Sequence, residues 1–480
     1  MNLHDFQRIQ TRRHFFKFAG GGIETIALAH LLGQDGRAAQ KKLPEVNPLA
    51  PRAPHFAPKA KNVIFLLQAG GPSQIDLYDP KPELQKRHGQ VLPESMTKDL
   101  KSPFISPSAK VLGSPRKFQK YGESGADFSD YIPHIASRAD DIALIRSMHT
   151  EAVNHHPGQA MLMSGSTMSG RPTVGSWVSY GLGSEADDLP AFVVLNSGVG
   201  ASAGSTNWSN GFLPSTYQGV NFRGHGDPIL YLKNPPGISN DSQRARIDAI
   251  RELNETHYQN TGDLEIAARI HSYEMAFRMQ TAAPELLDFS NEPQVVLDSF
   301  GVGKEPTNAY GTNCLLARRM VERGVRFVLL VHASWDHHEK LDEKLGEHCD
   351  ATDAPVGALL GDLKQRGLLD ETMVVWGGEF GRTPLGEFER EFDGEAPGRD
   401  HHPDCFSMWA AGGGIQGGQV IGRTDDIGFN ITEDPIHIHD LQATMLHALG
   451  LDHTQLTYHF MGRDFRLTDV GGNVIEKLMT

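Results

Sequence analysis

The run Asn62-Val63-Ile64-Phe65-Leu66-Leu67, which leads into Gly70-Gly71-Pro72, decides the fold of this chain. A continuous apolar run that stops at turn residues is typical of a strand buried on both faces of a sheet. Similar runs recur at 142–145, 191–195, 325–331, 372–376 and 406–410. Helical patterns separate several of them, at 308–323, 341–366 and 439–449. This alternation predicts an α/β fold, a three-layer sandwich in which helices cover both faces of a mainly parallel central sheet.

Three further segments differ from this pattern. Residues 242–284 are charged and helical in pattern, and we expect a helical insertion packed on the main sheet. Residues 202–226 are rich in Gly, Ser and Asn and resemble a long loop. Residues 41–61 are rich in Pro, Ala and Lys, which predicts a linker before an α/β domain at 62–480.

The first 40 residues indicate export. Thr11-Arg12-Arg13-His14-Phe15-Phe16-Lys17 resembles a twin-arginine signal, and a mildly apolar stretch follows at 18–32. That stretch is too short and too weakly apolar for a stable membrane span. We therefore expect residues 1–40 to be a signal peptide and the mature protein to be periplasmic or extracellular. The alternative is an ordinary helix with two solvated arginines.

The composition excludes some classes of partner and site. The chain has 480 residues, 39% of them hydrophobic, and a formal net charge of -14, without a long basic run. This is a normal soluble composition that does not suggest a nucleic-acid partner. The three cysteines, at 314, 349 and 405, are far apart, which argues against a disulfide framework or a CxxC motif, although one pair could still bridge.

The 23 histidines include clusters at predicted strand ends, where ligands bind in open α/β sheets. After the strand at 325–331 come Asp336, His337 and His338. A carboxylate beside imidazoles is a ligand set that zinc, manganese or iron accepts. The alternative is a polar loop around the buried Trp335.

Two more clusters surround the strands at 372–376 and 406–410. In the first, Glu379 could ligate a metal or act as a general base, and Arg382 has a guanidinium suited to phosphate, sulfate or carboxylate. The alternative is that these two side chains simply pair with each other. In the second, either His401 or His402 could reach a metal, and Asp400 could orient the other.

A fourth cluster, at His155 and His156, follows the strand at 142–145 and starts a predicted helix. The N-terminus of a helix at a strand end favours anions. Imidazole titrates near neutral pH, so either histidine could be a nucleophile or a general acid/base.

Five motifs together resemble the domain of unknown function 1501 family, whose members are described as sulfatase-like. They are NVIFLLQAGGPSQIDLYDPKP, WDHH, GGEFGRTP, GRDHHP and HIHDLQATMLHALGLD, and the resemblance runs from about residue 60 to the C-terminus. It implies an alkaline phosphatase/sulfatase-like fold. It also implies that Asp336, His338, Glu379 and either His401 or His402 are metal ligands.

The resemblance also shows where this chain departs from sulfatases. His155 stands where the sulfatase Cys or Ser nucleophile would be, and Gln159 stands where an arginine would bind substrate. The expected function is an exported, metal-dependent hydrolase of phosphate or sulfate esters that lacks the usual nucleophile. Its metal would be zinc, manganese or calcium, its substrate a small-molecule or glycan ester, and its substrate-binding residues Arg382 and Gln159. The alternative is a non-catalytic protein that binds anionic glycans or exported partners.

Overall fold

The computed structural model describes residues 47–93, 108–198, 200–223, 229, 232–388 and 396–480. The expected signal peptide, 1–40, and the start of the expected linker lie outside these residues. The remainder of that segment runs along the domain, where the amides of Lys59 and Ala60 both donate to the carbonyl oxygen of Ala448 at 2.8 Å.

The described residues form eighteen strands: β1 (Asn62–Gln68), β2 (Lys110–Val111), β3 (Phe118–Tyr121), β4 (Ala126–Ser129), β5 (Ile142–His149), β6 (Phe192–Ser197), β7 (Val220–Phe222), β8 (Phe327–His332), β9 (Thr372–Gly377), β10 (Gly381–Gly386), β11 (Arg399–His402), β12 (Phe406–Ala411), β13 (Gln419–Ile421), β14 (Arg423–Thr424), β15 (Ile431–Glu433), β16 (Ile436–His437), β17 (Tyr458–Phe460) and β18 (Arg463–Phe465).

The same residues form eleven α-helices: α1 (Gln74–Leu77), α2 (Pro82–Lys86), α3 (Pro133–Ala136), α4 (His155–Ser164), α5 (Val174–Leu182), α6 (Asn240–Thr261), α7 (Leu264–Leu287), α8 (Gln294–Phe300), α9 (Asn308–Glu322), α10 (Leu341–Gln365) and α11 (Ile438–Ala448).

A nine-stranded sheet forms the centre of the protein, in the order β13-β5-β12-β9-β1-β8-β6-β7, with β16 also paired to β5. Strand β12 runs antiparallel to both of its neighbours, β5 and β9. The other strand pairs of this sheet are parallel within the described residues. The predicted mainly parallel sheet is therefore confirmed. The stretch expected to be a loop at 202–226 contains β7, so that expectation was wrong over these three residues.

Helices cover both faces of the sheet because its strands are apolar on both faces. On β1, Ile64 and Leu66 share a core with α9 and α10, whereas Val63, Phe65 and Leu67 share a second core with α4, α5 and α11. Successive side chains of a strand point to opposite faces, so a continuous apolar run contributes to both cores. This is the three-layer arrangement that the sequence predicted.

Helices α6 and α7 occupy the stretch expected to be a helical insertion. A two-residue turn joins them, and Arg244 of α6 donates from Nη1 to Oε2 of Glu274 of α7 at 2.8 Å. Met279, Ala282 and Leu286 of α7 belong to the same apolar core as α9. No helix in the described part of the chain is long and apolar enough to cross a membrane.

A second, three-stranded antiparallel sheet, in the order β11-β10-β2, lies beyond the carboxyl end of β9. The motif GGEFGRTP, at 377–384, ends in strand β10. This small sheet matters for the site because it carries Arg382 on β10 and His401 on β11.

The contact between α8 and α9 gives the first testable prediction. A Cβ atom on Gly311 would lie 1.8 Å from the carbonyl oxygen of Phe300, so Gly311→Ala must push the two helices apart. We expect the free energy of unfolding to fall by about 2 kcal/mol, measured by chemical denaturation. Gly200→Ala is the matched control because a Cβ there meets nothing within 4 Å. Equal stability of the two variants would contradict this packing.

Candidate metal centre

The centre forms at the carboxyl ends of the parallel strands. The loop after β8 supplies Asp336 and His338, and the turn after β9 supplies Glu379. His155 is the first residue of α4, which follows β5, and His401 lies on β11. The register of the sheet places these ends side by side, since Gln68 at the end of β1 pairs with His332 at the end of β8.

Four side chains converge at this point. His155, Asp336, His338 and His401 each offer a ligand atom, and these atoms lie within 4.8 Å of one another. Nε2 of His338 and Nε2 of His401 lie 2.9 and 3.3 Å from Oδ1 of Asp336. Nε2 of His155 faces the other carboxylate oxygen, Oδ2, at 3.1 Å. The centre is thus arranged around the Asp336 carboxylate, with two imidazoles on one oxygen and one on the other.

The second nitrogen of each imidazole is held by an acceptor. Nδ1 of His155 donates to Oε1 of Glu379 at 2.8 Å, and Nδ1 of His338 donates to Oε2 of Glu387 at 2.5 Å. Nδ1 of His401 donates to the carbonyl oxygen of Val153 at 2.8 Å. A carboxylate and a carbonyl accept only, so each Nδ1 carries a hydrogen and each Nε2 faces the centre. This is the arrangement that orients histidines toward a metal.

Arg382 lies beneath this centre. It is fully buried, and its Nη2 donates to Oδ1 of Asp336 at 2.6 Å. Its Nε donates to the carbonyl oxygen of Gly71 at 2.8 Å, its Nη1 to that of Arg399 at 2.9 Å, and Nη2 also to that of Gly70. The guanidinium expected to bind substrate therefore has protein acceptors for all three of its nitrogens.

The charges of the centre follow from these contacts. Burial opposes ionisation of Asp336, but hydrogen bonds from His155, His338 and His401 and the charge of Arg382 hold the pKa of this carboxyl well below its usual range. Burial also opposes protonation of His155, but its hydrogen bonds to Asp336 and Glu379 raise its pKa to about 9. Burial lowers the pKa of His401.

Glu379 lies behind His155 and outside the four-residue cluster. Its buried carboxylate accepts hydrogen bonds from the amide of Gly70 at 3.0 Å and from Nε2 of Gln159 at 3.1 Å, in addition to His155. Oε1 of Gln159 accepts in turn from the amide of Ala203 at 3.0 Å. Gln159, which the resemblance placed at a substrate-binding position, therefore links Glu379 to the loop after β6.

The backbone at Gly70 lies very close to the loop that carries Asp336. Gly70 has φ +123°, and a Cβ atom there would lie 2.6 Å from the amide nitrogen of Trp335 and 2.7 Å from that of Asp336. The end of β1 therefore packs directly against the loop that carries Asp336, which only a residue without a side chain permits.

Three predicted histidines, His156, His337 and His402, lie elsewhere, and His337 is buried and belongs to neither group of ligand atoms found among the described residues. His156 is exposed, and its Nε2 lies 3.3 Å from Oγ of Ser169. His402 is buried on the opposite side of β11 from His401, where its Nε2 donates to the carbonyl oxygen of Phe429 at 3.0 Å. Of the three adjacent histidine pairs in these clusters, the structure therefore brings one member of each, His155, His338 and His401, to the centre.

Sequence reasoning missed Glu387. This residue belongs to a second group of ligand atoms within 4.8 Å, formed by His338, Glu387 and Asp400. Glu387 follows β10 immediately, and its position after a strand end was the signal that was available. Val153 was also missed, because a backbone carbonyl has no sequence signature.

The cysteines take no part in the centre. Cys314, Cys349 and Cys405 are buried and free, and burial raises the pKa of all three thiols well above the usual range. None of them belongs to a disulfide or to the ligand groups found among the described residues.

Comparison with known proteins places this centre in a family. No curated protein matches the sequence. Similar solved structures include the PsFucS1 sulfatase from Pseudoalteromonas sp., which is 12% identical, with a TM-score of 0.37 and coverage of 83% of this chain and 68% of the sulfatase. The alkaline phosphatase from the Antarctic bacterium TAB5 is 11% identical, with a TM-score of 0.34 and coverage of 82% of this chain and 99% of the phosphatase.

A third similar structure is the lipoteichoic acid synthase LtaP from Listeria monocytogenes, which is 9% identical, with a TM-score of 0.36 and coverage of 87% of this chain and 78% of the synthase. Such identities and TM-scores are too low to carry an activity to this chain. The family described as "Protein of unknown function (DUF1501)" matches residues 60–479. That span is well over half of the 480 residues, so the chain belongs to the DUF1501 family.

Proposed function

We propose that this protein is an exported, metal-dependent hydrolase of phosphate or sulfate esters in which a histidine replaces the usual Cys or Ser. The observation that carries the proposal is the convergence of three Nε2 atoms on the Asp336 carboxylate, with each Nδ1 held by an acceptor. The ester class comes from the resemblance of the motifs to sulfatase-like proteins. The twin-arginine stretch supports export.

The side chains of the centre fit a transition metal. Asp336, His338 and His401 would hold it through Oδ1 and the two Nε2 atoms that face it. Two imidazoles and one carboxylate suit zinc or manganese, whereas calcium prefers oxygen ligands alone, so this donor set favours the first two of the three expected metals. A divalent cation there would polarise the ester and offset the charge of its anionic group.

His155 is the residue proposed to move a proton. Its Nδ1 is fixed by Glu379, and its Nε2 faces Oδ2 of Asp336, away from the oxygen that His338 and His401 share. Water attacks the phosphorus or sulfur atom, the bond to the ester oxygen breaks, and Nε2 of His155 donates its proton to that oxygen. The proton lost by the water then returns to His155, and Glu379 stabilises the imidazolium that is present before the first transfer and after the second.

One observation favours the second candidate, a non-catalytic binding protein. Arg382, the guanidinium expected to bind the anionic group of the substrate, is engaged within the protein. In that case the centre would hold a cation that recognises an anionic glycan or an exported partner without turnover.

An ester assay separates the two candidates. The purified protein, loaded with zinc or manganese, is expected to hydrolyse 4-nitrophenyl phosphate or 4-nitrophenyl sulfate. Loss of the proton donor in His155→Ala is expected to lower kcat/KM by about a hundredfold or more. The rate of hydrolysis is measured from the release of nitrophenol. A metal-loaded protein that turns over neither ester would contradict the proposal and favour the binding protein.

Metal content distinguishes ligands from the proton donor. His401→Ala is expected to lose the metal, because it removes one of the nitrogens that face Oδ1 of Asp336. His155→Ala is expected to retain it. Elemental analysis after dialysis measures both, with His156→Ala as the control because His156 is exposed and faces Ser169. Loss of metal in His155→Ala would instead make His155 a fourth ligand.

The role of Glu379 is tested by Glu379→Gln, which keeps the shape of the side chain and removes its charge. Without the carboxylate, His155 is less well oriented and its cationic form is less stable, so kcat is expected to fall roughly 10–100-fold. KM, metal content and the melting temperature are expected to stay the same. A change in metal content equal to that of His401→Ala would show that Glu379 serves the metal rather than His155.

A further inference from the structure

A cavity lies between the helical insertion and the edge of the main sheet. Its volume is about 540 Å³, which is in the ~300–1,000 Å³ range of small-molecule sites. Phe192 and Val220, the first residues of β6 and β7, form one wall. Ile247 of α6 and Met279 of α7 form the other, and both are buried.

This cavity is distinct from the metal centre. The cavity meets β6 and β7 at their amino ends, whereas the metal centre lies beyond the carboxyl ends of β8 and β9. Strands β6 and β8 are parallel and paired along their length. Six residues of strand span about 20 Å, so the two sites lie at opposite ends of the sheet.

The walls of the cavity are mainly apolar. Among the residues that the structure describes, none that lines the cavity is Asp or Glu, although the chain as a whole has a net charge of -14. Most of the side chains that line it are aliphatic, aromatic or thioether groups. Such walls favour an alkyl chain and do not repel an anionic group.

Arg246 supplies a positive charge at this cavity. It lies on α6, is exposed, and has no ion pair or hydrogen bond with any residue that the structure describes. Its neighbours on the same helix differ: Arg244 is paired with Asp248 and Glu274, and Arg251 with Asp248, Glu255 and Glu274. The arginine that lines the cavity is thus free to bind a ligand, whereas these two are engaged.

We infer that this cavity binds a single-chain amphiphile with an anionic head group, namely a long-chain carboxylate. The alkyl chain lies along Phe192, Val220, Ile247 and Met279, and the carboxylate accepts two hydrogen bonds from the guanidinium of Arg246. Arginine and a carboxylate match in shape and charge, which gives the head group a defined position. The inference does not depend on the proposed hydrolase activity.

Binding of dodecanoate to the full chain tests the inference. Isothermal titration is expected to show one saturable site for dodecanoate, and Arg246→Ala is expected to weaken that binding by roughly tenfold or more. Dodecanol, which lacks the charge, is expected to bind both proteins equally. Dodecyltrimethylammonium is expected to bind the unmodified protein more weakly than dodecanoate does.

Two further variants control the result. Arg251→Ala removes an arginine from the same helix outside the cavity and is expected to leave dodecanoate binding unchanged. Ala276→Trp fills the cavity from an exposed position of α7 and is expected to abolish binding of dodecanoate and dodecanol, with circular dichroism confirming the fold. If Ala276→Trp does not fold, Ser272→Trp, also an exposed lining position, replaces it. Absence of saturable binding, equal losses in Arg246→Ala and Arg251→Ala, or equal binding of the cationic amphiphile would overturn the inference.

Discussion

The carboxylate of Asp336 is the group on which the geometry of the candidate metal centre depends. Two imidazoles face one of its oxygens and a third faces the other, and the buried guanidinium of Arg382 donates a hydrogen bond to it. The side chain of Asp336 is 39% exposed, and its ionised form is stabilised by hydrogen bonds from partners that α4, β10 and β11 bring to this loop. The small sheet β11-β10-β2 therefore supplies two of these partners, Arg382 on β10 and His401 on β11.

The register of the main sheet fixes where this carboxylate lies. Pairing of β1 with β8 and β9 brings the carboxyl ends of these three strands together. Because Gly70 has no side chain, the end of β1 packs directly against the backbone of Asp336. The amide of Gly70 also donates to Glu379, which holds His155. One short segment thus positions both the carboxylate and the imidazole proposed to move a proton. The precision of the centre comes from backbone contacts as much as from its ligands.

The sequence predicted the sheet well because runs such as 62–67 and 372–376 are apolar on both faces, as expected for buried strands. It also identified Asp336 and His338, since they follow a strand end. It did not choose between His401 and His402, because the choice depends on which face of β11 meets the centre. The burial of Arg382 could not be predicted from the sequence either, because its acceptors include backbone carbonyl oxygens of segments that are distant in the chain.

The balance of charge at the centre bears on both candidate functions. The four carboxylates of Asp336, Glu379, Glu387 and Asp400 outnumber the cationic groups of the centre, which are the guanidinium of Arg382 and the imidazole of His155, whose pKa is raised to about 9. Such a site attracts cations and repels sulfate or phosphate groups. An anionic ester or an anionic glycan therefore requires a bound cation at this centre, whether or not it is then hydrolysed. Metal binding is the common requirement of both functions, and turnover by His155 is what separates them.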